Sequence, residues 1–360
     1  MPSRRPLTSM RPSEHWYKPC AKSVASSWDP TDQVTRGVAG GTMVNAPIAL
    51  FVYNRPRHTA ATLVALGANA MAAESDLFVF CDGPKSDADA LAVAAVRDLV
   101  GATAGFRSIQ VFEAERNAGL AASIIAGVTR VISEHGRVIV LEDDIVTSPH
   151  FLRYMNAALD RYGNDGRVFS VSGYNPPPNM MRFPRSYAHD VYFNPRSSSW
   201  GWATWRDRWK KADWDVAPYE SFIRDPAARR AFNAGGADLS DTLIAQREGR
   251  VDSWAVRWAF THFTHHALAV YPVRSYVDNI GHDGSGTHCR PNFALRNDLS
   301  RALLNVEFPP KAEVDEEVMR VFRRYYFIRM RLTAVRRFLL RLAGRAPRPP
   351  ADGQSSGERH

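Results

Sequence analysis

The sequence predicts an α/β fold in which a doubly wound, mostly parallel sheet is flanked by helices and followed by a mixed second half. From residue 47 to about residue 172, short apolar runs alternate with stretches of helical character. Strands that alternate with helices favour parallel pairing through right-handed crossovers. After residue 176 the alternation stops, and seven of the nine tryptophans lie between Trp200 and Trp258.

In the first half, continuous apolar runs predict strands that are buried on both faces. Pro56 follows the first run and biases Arg55 away from the helical conformation. Ser86 and Asp87 are candidate caps of the second helix, and Asn117 begins a turn before the third. The predicted strands are 47–53, 76–81, 108–112, 137–142 and 167–172, and the predicted helices are 58–73, 86–100, 120–134 and 149–162.

The second half has weaker periodicity. Four prolines between residues 173 and 185 predict a long loop. Strands are predicted at 187–194 and 270–277, helices at 203–211, 218–233, 238–248 and 252–266, and a glycine-rich loop at 281–288. Residues 1–45 and 346–360 lack periodicity, so we expect a disordered arm and a disordered tail.

Composition restricts the class of protein. The chain has 360 residues and a net charge of +9, but much of the basic excess lies near its ends, so a nucleic-acid partner is not expected. Three widely separated cysteines have neither zinc-site spacing nor a disulfide pattern. No run approaches the roughly 20 apolar residues of a membrane-spanning helix, and we find no secretory signal. We therefore expect a cytoplasmic protein.

The segment RVIVLEDDIVT, residues 137–147, carries the strongest functional signal. Four apolar residues predict a buried strand, and Glu142, Asp143 and Asp144 follow at its carboxyl end. Unpaired ionised carboxylates are costly to bury, whereas their hard oxygens are typical ligands of Mg²⁺ and Mn²⁺. Because ligands of open α/β sheets bind at this edge, the triplet favours a metal–nucleotide site. A solvated acidic turn before the next helix is the alternative.

Polar residues also end the neighbouring strands. Asp82 could accept the N3–H of a uracil, although an aspartate before glycine is a common turn former. Arg55 could reach a diphosphate through its guanidinium, or be an ordinary surface arginine. Asn117 could contact the ligand, but a turn or capping role is equally open.

The second half adds three candidate features. Trp200 and Trp202 in WGWATW offer flat faces on which sugar rings stack, or they fill the core. Asp252 could act as a general base, or cap the helix that follows. Ser285 and His288 belong to the loop GHDGSGTH, which could close over phosphates or be a plain flexible turn.

Residues 317–345 predict an arginine-rich amphipathic helix with interleaved aromatic and leucine residues. Such a helix suits an anionic membrane surface, which would place the protein peripherally on the inner membrane face. A helix that packs on the protein body and exposes a basic face to solvent is the alternative.

Six segments between Pro47 and His288 occur in an order that resembles the GT-A glycosyltransferases. They are PIALFVYNR, LFVFCDG, VIVLEDDIVTSPHFL, VFSVSGYN, FNPRSSSWGWATWRDRW and GSGTH. The resemblance is to the family of N-acetylglucosaminyltransferases that initiate complex N-glycans, with its bacterial relatives in envelope polysaccharide assembly. It implies a GT-A-like fold. The predicted organisation is a nucleotide-sugar-binding half at 46–175, an acceptor-side half at 176–300 and, from the residue pattern alone, a C-terminal basic amphipathic helix at 301–345.

The resemblance also implies roles. Asp144 would bind Mn²⁺ or Mg²⁺, and Asp143 and Glu142 would contact ribose and donor-sugar hydroxyls. Arg55 and Asp82 would contact the diphosphate and the base of a UDP-sugar, and the glycine-rich loop would order over the diphosphate.

The catalytic base of the family is an aspartate directly before a tryptophan. Here Ser253 precedes Trp254, so Asp252, one position earlier, is the candidate. The implied reaction is inverting transfer of a sugar, GlcNAc by analogy, to a glycan or lipid-linked glycan acceptor.

Two other functions compete at this point. A sugar nucleotidyltransferase would need a glycine-rich basic loop after the first strand, and the turn at 54–56 is too short for one. A non-catalytic carbohydrate-binding or membrane-assembly protein would use the tryptophans and the arginine-rich helix without metal-dependent nucleotide binding.

Overall fold

A nine-stranded sheet organises the computed structural model, which describes residues 17–19, 44–284 and 295–328. The strands in chain order are β1 (Tyr17–Pro19), β2 (Ile48–Val52), β3 (Asp76–Cys81), β4 (Ser108–Ala114), β5 (Arg137–Glu142), β6 (Ile145–Thr147), β7 (Val168–Ser172), β8 (Val191–Asn194), β9 (Trp202–Trp205), β10 (Leu268–Pro272) and β11 (Val277–Asn279). The large sheet has the order β1-β4-β3-β2-β5-β9-β7-β10-β8, and β6 pairs with β11 separately.

Ten helices accompany these strands within the described residues. They are α1 (Pro56–Gly67), α2 (Asp87–Gly101), α3 (Leu120–His135), α4 (Phe151–Tyr162), α5 (Arg206–Trp209), α6 (Tyr219–Arg224), α7 (Pro226–Phe232), α8 (Leu239–Arg247), α9 (Trp254–Thr264) and α10 (316–328). Short 3₁₀ turns occupy Ala72–Glu74, Asn233–Gly235 and Leu299–Arg301.

The strand directions confirm the predicted α/β class. β4, β3, β2 and β5 are parallel neighbours, and β9 is inserted antiparallel between β5 and β7. β7 and β10 are parallel, so six of the nine described strands run one way, and β1, β8 and β9 run the other way. The carboxyl ends of β2, β3, β5, β7 and β10 therefore meet at one edge of the sheet.

Helices cover both faces of the sheet. One core contains apolar side chains of α1, α2 and α4, and the other contains those of α3 and α9. A strand covered on both faces has no solvent side, which explains why β2 and β5 are continuous apolar runs without alternation. Strands β8, β9 and β10 lie in the second predicted half, yet they complete the same sheet.

The prediction of a helix at 203–211 is wrong for its first part. Trp202–Trp205 is strand β9, and helix α5 covers only Arg206–Trp209. All four residues of β9 are buried, because the sheet is covered on both faces, so no polar alternation marks the strand. The predicted strand at 270–277 divides into β10 and β11, and β6 was not predicted.

The ends of the chain are described in part. Residues 1–45 were predicted to be a disordered arm, but Tyr17–Pro19 within it forms strand β1, which pairs antiparallel with β4. The rest of that arm, the tail at 346–360 and residues 329–345 of the basic helix lie outside the described residues. Helix α10 buries Val318, Met319 and Phe322 in a cluster with residues of β8 and β10. Within the described ranges, no helix has the length and apolar character needed to cross a membrane.

Candidate active site

The acidic triplet lies at the carboxyl end of β5, where Arg55 from the end of the neighbouring strand β2 reaches it. Nη2 of Arg55 donates to Oδ1 of Asp143 and, at 2.9 Å, to Oδ2 of Asp144. Asp143 is 4% exposed and Asp144 is 7% exposed. Thr62 of α1 donates to the carbonyl of Asp143 at 2.8 Å, which fixes the backbone of the triplet.

The acidic triplet has more carboxylates than paired cationic groups. Burial, together with the charges of Asp144 and Asp143, raises the pKa of Glu142 to about 8, although Arg55 opposes this rise. Burial also raises the pKa of Asp143 to about 6, although Arg55 opposes this rise. Burial would lower the pKa of Arg55, but the two aspartates raise it overall. One guanidinium thus faces three carboxylates, an arrangement that a bound cation would stabilise.

The segment after β11 encloses Asp144 from the other side. The N–H of Ile280 donates to the Asp144 carbonyl at 2.9 Å, and a Cβ built on Gly281 would lie 2.2 Å from Asp144 Oδ2. Nε2 of His58 in α1 lies 3.1 Å from Oδ2 of Asp283. The remainder of the predicted glycine-rich loop, with Ser285 and His288, lies outside the described residues.

Asp82 organises the loop between β4 and α3. Its carboxylate accepts from the N–H groups of Gly83 at 2.9 Å, Ala118 at 2.8 Å and Gly119 at 3.2 Å, and from Asn117 Nδ2 at 3.0 Å. Burial raises the pKa of Asp82, although these backbone hydrogen bonds oppose the rise. Both oxygens already have donors, so Asp82 and Asn117 fulfil the turn-forming role, and a base contact would have to replace one of these bonds.

The two candidate tryptophans have different environments. Trp202 is 0% exposed and stacks on Trp254 at 5.0 Å between ring centroids. Its predicted contact with a sugar is therefore wrong for this conformation, since the ring fills the core against α9. Trp200 is half-buried, and its ring meets Tyr174 and His282 edge-on at 4.4 Å and 5.1 Å.

Asp252 does not cap α9, contrary to that alternative. The N-cap is Ser253, whose hydroxyl accepts from the N–H of Val256 at 3.3 Å. The Asp252 side chain is 62% exposed and forms a 3.3 Å ion pair with Arg257. A Cβ built on Gly119 would lie 3.9 Å from its Oδ2, so Asp252 stands beside the loop that Asp82 holds.

A cavity of about 700 Å³ lies between Trp200 and the start of α9. Trp200 and Tyr174 line one end, and Ser253 and Val251, the neighbours of Asp252, also line it. Trp200 also contacts His282, one residue from the glycine that packs on Asp144. The cavity therefore connects the surroundings of the acidic triplet with those of Asp252.

Sequence reasoning missed several residues of this region. Arg196 lines the cavity and pairs with Asp238 through two hydrogen bonds, of 2.7 Å and 2.9 Å. Tyr326 of α10 also lines it, with the Arg196 guanidinium 4.3 Å from its ring centroid. These residues are far apart in the chain and belong to no motif. The only available signal was the FNPRSS context of Arg196 beside the tryptophan segment.

The triplet fits a divalent cation of the kind that nucleotide enzymes use. Within the part of the chain that the structure describes, no three His, Cys, Asp or Glu side chains are arranged as a complete protein cage for a metal. Mg²⁺-type ions, however, are usually held by one or two carboxylates together with substrate phosphates. Buried aspartate oxygens with an excess of negative charge match that mode.

Residues 128–252 match the GNT-I family, a region that contains the acidic triplet, the tryptophan strand and Asp252. No curated protein matches the chain.

Among solved structures, a mannosyltransferase from Pyrobaculum calidifontis in complex with GDP-Man and Mn²⁺ aligns at 16% identity and a TM-score of 0.33, over 49% of this chain and 50% of its own. TarS from S. aureus aligns at 12% identity and a TM-score of 0.36, over 64% and 36%. An active-site mutant of LgtC aligns at 14% identity and a TM-score of 0.30, over 49% and 65%. Each alignment covers less than two thirds of the solved chain. The chain has an α/β fold and is similar to the GNT-I family over residues 128–252.

Proposed function

We propose that the chain is a metal-dependent inverting glycosyltransferase that moves a sugar from a UDP-sugar to a glycan or lipid-linked glycan acceptor. The observation that carries this proposal is the set of three carboxylates that faces one arginine at the carboxyl edge of β5. An uncompensated acidic site next to a large cavity suits a cation bound together with an anionic ligand. GlcNAc is the donor sugar that the resemblance suggests.

In the donor site, Asp144 would hold Mn²⁺ or Mg²⁺, and Glu142 and Asp143 would contact ribose and sugar hydroxyls. The bound ion supplies Lewis-acid stabilisation of the charge that develops on the leaving diphosphate. Arg55 already reaches both aspartates and carries the donors that suit a diphosphate oxygen. With the ion balancing the charge of the aspartates, the Arg55 guanidinium would be available to the leaving diphosphate.

In the acceptor site, the cavity beside Trp200 would hold the acceptor sugar. The acceptor hydroxyl oxygen forms the new bond to the anomeric carbon, and the bond from that carbon to the diphosphate oxygen breaks. The hydroxyl proton passes to the carboxylate of Asp252, an exposed side chain whose neighbours Val251 and Ser253 line this cavity. Attack from the face opposite the diphosphate inverts the anomeric configuration.

Arg257 has a supporting role in this arrangement. Its guanidinium donates to the Trp214 carbonyl and the Ser253 carbonyl, each at 3.3 Å, and it pairs with Asp252 at 3.3 Å. A guanidinium fixed by two carbonyls would hold the carboxylate in position for proton transfer.

We place the reaction in cell-envelope polysaccharide synthesis at the cytoplasmic face of the membrane, as the resemblance to bacterial relatives suggests. Helix α10 buries Val318, Met319 and Phe322 against the protein body, whereas Phe327 and Ile328 at its described end are exposed. Contact with an anionic membrane would involve this exposed end or residues 329–345, which lie outside the described residues.

A thermal-shift panel with UDP, GDP, CMP, TDP and ADP, each with and without Mn²⁺, tests the proposal. UDP with Mn²⁺ at about 100 times its dissociation constant should stabilise the protein by roughly 2.7 kcal/mol. Asp144→Asn should remove this shift, whereas Asp98→Asn, an exposed position on α2, should keep it. A shift with another nucleotide would replace the uridine assignment. The absence of any shift would favour a non-catalytic carbohydrate-binding protein.

A further inference from the structure

A second cavity, of about 280 Å³, lies apart from the one assigned to the acceptor sugar. Three arginines from separate segments converge on it: Arg182 from the loop after β7, Arg274 directly after β10, and Arg301 from the 3₁₀ turn at Leu299–Arg301. Side chains so far apart in sequence meet here because β7 and β10 are parallel neighbours that end at the same edge.

The residues that line this cavity carry an excess of positive charge. None of the three arginines forms an ion pair with a carboxylate of the described residues. Asp298 also lines the cavity, and its carboxylate accepts from the N–H and hydroxyl of Ser300, at 3.1 Å and 2.6 Å. These hydrogen bonds and the charge of Arg301 lower the pKa of Asp298. The lining therefore contains three arginines and one carboxylate.

The cavity lies at the same sheet edge as the acidic triplet. Ser275 lines the cavity, and the next residue is Tyr276. The Tyr276 carbonyl accepts from the N–H of Ser148 at 2.8 Å, and Ser148 lies four residues after Asp144. Three strand spacings separate β5 from β10 in the order β5-β9-β7-β10. At about 4.8 Å per spacing, the carboxyl ends of β5 and β10 are about 14 Å apart.

We propose that this arginine cavity, at the same sheet edge as the acidic triplet, binds a phosphate or diphosphate group of the acceptor. Guanidinium groups bind phosphate oxygens through paired hydrogen bonds, and several of them are needed to balance a diphosphate. This assignment rests on the proposed glycosyltransferase function, whose acceptor it specifies.

The apolar part of the lining indicates what carries the phosphate. Met181, Phe183, Pro176 and Pro178 border the arginines. Phe183 is half-buried, and its ring meets Tyr192 at 5.3 Å between centroids. An apolar surface directly beside an anion site suits a prenyl chain attached to the diphosphate, because a free inorganic anion would gain nothing from it.

Calorimetric titration with inorganic pyrophosphate tests the anion site. EDTA is added to keep the acidic triplet free of metal, because without a metal the triplet repels anions and does not contribute to binding. Wild type should bind, and R274Q/R301Q should bind at least about tenfold more weakly. R153Q/R230Q removes the same charge from exposed positions on α4 and α7 and should bind like wild type. Equal weakening in both variants, or no binding by wild type, would overturn the proposal.

Farnesyl diphosphate identifies the source of the anion. It should bind wild type at least about tenfold more tightly than pyrophosphate, since a buried prenyl unit adds apolar contact area. Phe183→Ser should remove this gain and leave pyrophosphate binding unchanged. Equal affinity of the two probes for wild type would overturn the lipid-linked assignment.

The same variants separate this inference from the proposed function. R274Q/R301Q should keep the UDP–Mn²⁺ thermal shift of wild type, since neither arginine contacts the triplet. If wild type shows no nucleotide shift but binds pyrophosphate, the transferase function fails and the anion cavity stands. If the nucleotide shift is present and pyrophosphate does not bind, the transferase function stands and the anion cavity fails.

Discussion

Gly281 packs against Asp144 so closely that a Cβ atom at position 281 would lie 2.2 Å from Oδ2 of Asp144. The same Cβ would lie 3.0 Å from Nη1 of Arg55. A glycine at this position therefore lets the segment after β11 approach the acid–arginine pair, although 137 positions of sequence separate it from Asp144.

Gly281→Ala is expected to displace the Asp144 carboxylate or the whole segment. Metal-dependent UDP binding should weaken by about tenfold or more, because the metal-binding oxygen leaves its position. The dissociation constant for UDP with Mn²⁺, measured by titration calorimetry, gives the result. Gly101→Ala is the matched control, since no atom lies within 4 Å of a Cβ built there. Unchanged affinity in Gly281→Ala would mean that Asp144 does not bind the metal in this conformation.

Asp252→Asn is expected to lower kcat by about 10²–10⁴ and to leave UDP–Mn²⁺ binding intact, because the amide cannot accept the acceptor proton. The neighbouring Ser253→Ala removes the N-cap of α9 and should cost about 1 kcal/mol of stability with little effect on kcat. Initial rates of UDP release and unfolding curves on both variants separate the two roles. A normal kcat in Asp252→Asn would assign the proton transfer to another group.

Trp200 and Trp202 should respond oppositely to substitution. Trp202→Ala deletes a fully buried ring and should destabilise the protein by about 3–5 kcal/mol. Trp200→Ala should cost much less stability but raise the acceptor KM, since that half-buried ring lines the cavity. Chemical unfolding and acceptor kinetics test the pair. A larger loss of stability in Trp200→Ala than in Trp202→Ala would contradict the assignment of Trp202 to the core.

The first half of the fold follows from local sequence signals. Strand β3 and strand β5 have the predicted boundaries, because buried parallel strands are continuous apolar runs bounded by turn residues. The acidic triplet was also visible locally, because three consecutive carboxylates directly follow such a run.

The second half depends on contacts that are distant in sequence. β9 is a strand only because β5 and β7 leave a gap that an antiparallel strand fills. The close approach of Gly281 to Asp144 and the pairing of Arg196 with Asp238 likewise result from tertiary packing. Local propensity carries no information on these partners. The sequence therefore could not show that Trp202 is in the core and that Trp200 lines the cavity.

His262 provides a pH-dependent test of the core that is independent of the active site. Its Nδ1 lies 3.0 Å from the Trp258 carbonyl, which can only accept, so Nδ1 carries the proton and Nε2 accepts from Ser170 at 2.9 Å. Burial lowers the pKa of His262 from its usual 6.5 to about 4, although the bond to Trp258 opposes this shift.

The sign of the effect follows from proton binding. Below pH 6.5 the unfolded chain binds a proton at this histidine, and the folded protein does not until the pH approaches about 4. The free energy of unfolding therefore falls as the pH is lowered through this window, by on the order of 3 kcal/mol in total. His262→Gln should be less stable than wild type at pH 7.5, because Gln cannot reproduce both hydrogen bonds. It should nevertheless lose less stability between pH 6.5 and 4.5.

Urea unfolding at several pH values measures this difference in slope. Equal slopes in wild type and His262→Gln would mean that His262 is protonated in the folded protein near pH 6. In that case the Ser170 hydroxyl would accept from Nε2, and the neutral pair at the contact between β7 and α9 would not exist.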